Sequence, residues 1–141
     1  MANPLTFADF NSAKTNTAIL FSDFPKNFDM TPSGDLARIV NQSSILNSVE
    51  NIVLTYLGER PYSPLVGSNI GFQDFENAST IQDQVMQSDI KLAIKQNEPR
   101  VSVVSVTTTD NNDNSYFITV VLYIINNPNP ITLPILIKRN R

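Results

Sequence analysis

The chain of 141 residues contains no cysteine, no histidine and no tryptophan. Without cysteine there is no disulfide framework, no thiolate nucleophile and no cysteine-ligated zinc. Without histidine a Ser-His-Asp triad, an imidazole general base and the common zinc constellations are excluded as well. Any catalysis would rest on carboxylates, Lys, Tyr or hydroxyl groups. Charge is sparse, at 16% of residues, with a net charge of -3, and the basic residues are scattered instead of lining one face. That distribution argues against nucleic acid as a partner. No stretch approaches the roughly 20 apolar residues of a membrane span, and residues 1–20 lack a signal-peptide pattern. No metal or other cofactor is implied.

What is present is a 41% hydrophobic composition, enough to build one core in a chain of single-domain length. Residues 1–30 mix polar residues with isolated rings at Phe7, Phe10, Phe21, Phe24 and Phe28, which fits no sustained period. They read as an extended arm, pinned by its rings onto the core or onto a neighbouring subunit, ahead of a domain over residues 31–141. Thr31-Pro32-Ser33-Gly34 is turn chemistry and separates the two. A short strand is expected within Asp35 to Val40.

From Ser44 the apolar residues Ile45, Leu46, Val49, Ile52, Val53, Tyr56 and Leu57 recur in steps of three and four, which predicts a helix. Ser43 or Ser44 would cap its start and Gly58 its end. Tyr62 to Asn77, with Gly67, Gly71, Phe72 and Phe75, reads as a packed loop. A second helix is expected over about Thr80 to Lys95, with Ile81, Val85, Met86, Ile90, Ala93 and Ile94 inward and Ser79 with Gln82 in capping-box spacing. Three strands follow: Arg100 to Thr109, a return through Tyr116 to Tyr123 with apolar residues on both faces, and Ile131 to Ile137. Asp110 to Asn114 forms the hairpin tip between the first two. The order predicts an α+β fold with two main helices packed on a small, mostly antiparallel sheet.

Four groups of residues then carry a resemblance: Gly34-Asp35-Leu36; Thr55 with Gly58-Glu59-Arg60-Pro61; Pro64 with Gly67; and Glu98-Pro99-Arg100 between the second helix and the Val-rich strand. From about Phe21 onward the chain resembles the baseplate wedge family that initiates the sheath of contractile phage tails, shared with type VI secretion baseplates. Asp74 departs from it, standing where the family has a bulky apolar residue.

The resemblance implies a structural protein of the virion's tail baseplate, without catalytic residues. It would dock through Glu98, Pro99, Arg100, Glu59 and Arg60 on the helical core bundle of the other wedge proteins. It would offer Ile131, Leu133, Ile135 and Ile137 in strand pairing to the tail sheath protein, with six copies per particle. The residues themselves also permit a bracing role, in which Glu98, Arg100, Glu59 and Arg60 form one carboxylate-guanidinium network that only holds the fold. The last strand is equally readable as a plain intramolecular one, and the basic tail Lys138, Arg139 and Arg141 as a solvated terminus.

Because members of the family have carried a lysozyme-like label, a peptidoglycan-cleaving enzyme is the alternative. It would require one carboxylate held protonated, which Arg neighbours of Glu98 and Glu59 oppose. An assembly adaptor absent from the finished particle is the third reading.

Overall fold

A computed structural model describes residues 19–70, 80–110, 115–125 and 127–138. The elements run β1 (Ser22–Asp23), β2 (Ile39–Val40), α1 (Gln42–Leu54), α2 (Thr80–Asn97), β3 (Val101–Asp110), β4 (Ser115–Ile124) and β5 (Ile131–Lys138). The fold is α+β: β3, β4 and β5 form an antiparallel meander in that spatial order, and β1 pairs antiparallel with β2.

Alternation along β4 decides where the core lies. Tyr116, Ile118, Val120 and Leu122 are all fully buried, and Ile135 and Ile137 of β5 lie on the same side. The two helices cover that face with Ile45, Val49 and Val53 from α1 and Met86, Ile90 and Ile94 from α2, while Ile70 fills the space beside them. Among the described residues, a single layer of helices leaves the opposite face without a cover. Phe117 and Tyr123 there are exposed, so β4 is buried on one side and not, as its two-faced apolar composition predicts, on both.

The helix boundaries and faces also differ from expectation. α1 begins after Asn41, not at Ser43 or Ser44. Asn41 has a positive φ of 51° and its carbonyl accepts the first helical bond from Ile45, a backbone conformation that Asn tolerates better than most residues. Its side chain does not cap the helix, because Asn41 Oδ1 accepts from the backbone N–H groups of Leu20 and Phe21 instead. At the other end the helix stops at Thr55, which turns extended. The carbonyl of Thr55 accepts from the Ser68 N–H at 2.8 Å, and this return of the chain ends the helix before Gly58 is reached. Tyr56 and Leu57 consequently lie exposed rather than on the buried stripe.

In α2, Met86, Ile90, Ala93 and Ile94 are buried, but Ile81 and Val85 are exposed. Both precede the buried stretch of the helix, which begins at Met86. Ser79 of the expected capping box, Gly71, Phe72, Phe75, and Phe7 and Phe10 of the arm lie outside the described residues. Within the arm, Phe21 is half-buried and packs on the core, whereas Phe24 and Phe28 are exposed.

Candidate functional site

The last turn of α2 delivers Glu98 to the top of the sheet. Pro99 ends the helix, since the residue before a proline is driven out of helical geometry and proline itself has no N–H to donate. Three consecutive residues thereby form a rigid corner. The Glu98 N–H still donates to the Ile94 carbonyl, and the Arg100 carbonyl accepts from the Ile125 N–H. Both ends of the corner are thus tied into regular structure.

At this corner Glu98 is only 2% exposed. Arg100 grips its carboxylate with two parallel bonds, Nε to Oε1 and Nη2 to Oε2, each 2.5 Å. The Ser48 hydroxyl, from α1, donates to Oε2 at 2.7 Å, so one carboxylate joins both helices to the start of β3. The Arg100 guanidinium also lies over the Phe21 ring, 4.9 Å from its centroid, a cation–π contact that fastens the arm to the same spot.

Burial pushes the Glu98 carboxyl up, but the bonds from Arg100 and Ser48 together with the Arg100 charge outweigh it and hold it below the ordinary carboxylate range. The bond to Glu98 in turn raises Arg100. One third of the Arg100 side chain, at 32%, remains open to solvent, and Pro99 is exposed. The corner therefore presents a fixed polar surface above a buried charge.

Glu59 and Arg60 do not join it. The Glu59 carboxylate turns back to accept the Tyr56 N–H at 2.9 Å, and Arg60 is exposed. The joint network expected from the two motifs is therefore one ion pair at Glu98 and a separate capped loop. That loop is strongly organised. Gly58 donates to the Pro64 carbonyl, Leu57 to that of Ser68, and the Ser68 hydroxyl to that of Val53. Gly67 has φ +132°, and a Cβ there would stand 2.6 Å from the Thr55 carbonyl oxygen. Glycine is the residue this close backbone crossing admits.

Of the β5 residues, Ile135 and Ile137 are buried in the chain's own core and Ile131 and Leu133 are half-buried against it. β5 pairs with β4 within the chain, from Ser115 opposite Lys138 to Leu122 opposite Ile131. Ser48 and Asn41 are the contributors that sequence reasoning missed; Phe21 packs on the core as its place in the arm predicts, but its contact with Arg100 was not foreseen. A serine on a helix carries no local signal of a carboxylate partner 50 residues further along the chain. Among the described residues no cluster of carboxylates could hold a metal ion, and no helix is long and apolar enough to cross a membrane.

The sequence profile of the baseplate wedge protein gp25 family matches residues 40–129, a span that contains the corner and both helices. The chain belongs to this family. It is 29% identical over 113 residues to baseplate wedge protein gp25 of Enterobacteria phage T4, covering 79% of this chain and 86% of that protein. A putative tail lysozyme from Geobacter sulfurreducens has the same fold, with a TM-score of 0.68 at 21% identity over 74% of this chain and 98% of its own. The anti-feeding prophage baseplate contains a chain of similar fold, with a TM-score of 0.59 at 15% identity over 86% of this chain and 87% of that one. Family membership makes this protein a structural component of a contractile tail's baseplate wedge, located in the baseplate and associated with other baseplate proteins. The lysozyme wording belongs to the Geobacter protein, and the likeness to it is one of fold.

Proposed function

We propose that the Glu98–Pro99–Arg100 corner docks this protein on the helical core bundle of the other wedge subunits, and that its three-stranded sheet templates the first ring of the tail sheath. The observation that supports docking is the fixed corner itself: an Arg fork pre-aligned by a buried carboxylate, one third open, beside an exposed proline. An arginine already held in place loses little side-chain entropy on binding. Arg60 adds a second cation to the interface, and Glu59 keeps the Arg60 loop in shape by capping Tyr56.

Templating would work through β-augmentation, in which main-chain groups at a sheet edge pair with a strand of the partner. Ile131, Leu133, Ile135 and Ile137 serve it by fixing the position of β5 against the core, so that sheath protein meets a sheet of set register. Six copies would satisfy the sixfold symmetry of such tails.

Two variants separate docking from bracing. Arg100→Ala strips a buried carboxylate of its counter-charge and should cost about 3 kcal/mol of stability, because removing one member of a buried pair strands the other. Arg100→Lys keeps the charge and loses the planar fork. Docking predicts that the Lys variant still folds, losing less thermal stability than Arg100→Ala, yet is depleted from assembled baseplates to the same extent. Normal incorporation of the Lys variant would leave the corner as a brace alone. Electron microscopy of the particle then asks whether a helical bundle meets Arg100. A particle without this protein would favour the assembly adaptor.

A further inference from the structure

Ahead of α1 the chain runs out and back as a hairpin over residues 22–40. β1 pairs with β2, the Ala37 N–H donates to the Asp29 carbonyl at 2.8 Å, and Met30 bridges Leu36 in antiparallel register. Side chains tie the base of this hairpin to α1 and to the corner. The Asn47 amide donates to the Asp23 carboxylate at 3.0 Å and to the Phe24 carbonyl at 3.3 Å, and Lys26 pairs with Glu50. Phe21, at the foot of β1, lies under the Arg100 guanidinium. Hairpin and corner are thus held side by side as one surface.

That surface is apolar where a hairpin facing only water would be polar. Alternation through β1 turns Phe21 and Asp23 inward and leaves Leu20 and Phe24 outside. Met30 and Leu36, opposite each other, share one side and are exposed, Met30 at 73%. Phe28 is the sharper case. Its φ of +51° is a left-handed conformation that suits Gly or Asn and strains a bulky residue. The ring is nevertheless 65% exposed and takes no part in the core cluster, so its own chain gains nothing there to offset the strain. Residues 25–27, between the two rings, wall a hollow of about 340 Å³ that Ile39 and Leu46 also line.

We infer that the hairpin is the apolar half of the docking site: Leu20, Phe24, Phe28, Met30 and Leu36 seat against the apolar stripe of a helix in the same bundle that meets Arg100. The inference rests on docking at the corner and widens its footprint. Area requires the widening. Exposed Pro99 and the open third of Arg100 are a small part of the roughly 800 Å² per partner that a stable interface buries. Five exposed side chains, each offering on the order of 100 Å², supply most of the difference. Continuity selects the occupant, because a body that covers Arg100 lies next to the hairpin base through Phe21. A polar fork beside an apolar patch matches an amphipathic helix, whose stripe meets the rings while its polar flank meets the fork.

Hydroxyl-radical footprinting of the full chain, free and in purified tail particles, reads side-chain cover directly. Phe28 and Met30 should oxidise at least about tenfold more slowly in the particle, and equally fast in dilute and concentrated free chain. Protection already present in the dilute chain assigns the patch to residues 1–18, and protection that appears on concentration assigns it to a second copy. Either result overturns the inference, as does oxidation of Phe28 at the free rate in the particle. Phe28→Asn tests it without a folding defect: Asn suits the left-handed turn, so the thermal midpoint should hold or rise while incorporation falls about tenfold. A benzophenone side chain at position 28 should crosslink, in the particle, to the subunit whose helix meets Arg100; a crosslink to sheath protein alone overturns the choice of occupant. Depletion of Arg100→Lys with normal incorporation of Phe28→Asn removes the hairpin from the site and keeps the corner. Normal incorporation of Arg100→Lys removes the docking reading itself, and this inference with it.

Discussion

At Glu98 a buried carboxylate stays ionised because three donors reach it, two from Arg100 and one from Ser48. Glu98→Gln removes the charge and retains the shape. The expected loss is about 2 kcal/mol, below the usual range for broken buried pairs because Arg100 can still turn to water. Urea unfolding at neutral pH measures it. The pH dependence has a definite sign: the folded carboxyl titrates below the unfolded one, so between the two values the unfolded chain binds more protons. The contribution of Glu98 is complete above an unfolded value of about 4.3 and is lost as pH falls through the lowered folded value. The gap between wild type and Glu98→Gln should therefore close as acid unfolding is followed downward from pH 5. A gap that persists unchanged through that window would contradict the pairing.

Among the elements, α2 shows how far periodicity carries. Its stripe of Ile81, Val85, Met86, Ile90, Ala93 and Ile94 is continuous in sequence, yet only the part from Met86 onward meets the sheet. Met86→Ala should cost about 2–5 kcal/mol by emptying a filled site, while Ile81→Ala, at a position 74% exposed, should stay within about 0.5 kcal/mol. Thermal or urea denaturation of the two variants side by side checks the contrast. The end of α1 teaches the same lesson in backbone terms. Gly58 does take the left-handed conformation, with φ +84°, but it serves the loop, because Ser68 has already claimed the Thr55 carbonyl.

For the whole molecule, the chemistry of the corner bears on the glycosidase alternative at Glu98. A general acid must be protonated at working pH, and the Arg100 fork holds Glu98 in the opposite state. Glu50 pairs with Lys26, and Glu59 is spent on a backbone amide. The purified chain should leave the turbidity of a bacterial cell-wall suspension unchanged over the range from pH 5 to pH 8. Clearing that disappears in Glu98→Gln would reverse this assignment. Among the described residues, the exposed Pro99, the third of Arg100 left open and the exposed Phe117 and Tyr123 on the outer face of the sheet are surfaces available to neighbouring baseplate proteins.

The sequence by itself determined the α+β class, the presence of both helices with the central part of each buried stripe, the three strands of the meander and the family motif, because local periodicity, turn residues and a rigid Glu-Pro-Arg junction are properties of neighbours along the chain. Tertiary structure alone decided the rest. It brought Ser48 and Phe21 to the Glu98–Arg100 pair, kept Glu59 and Arg60 apart from it, and left Phe117 and Tyr123 on the outer face of β4 exposed. Each of these depends on which surfaces meet across long sequence separations, and periodicity fixes the face an element buries without specifying what lies against it.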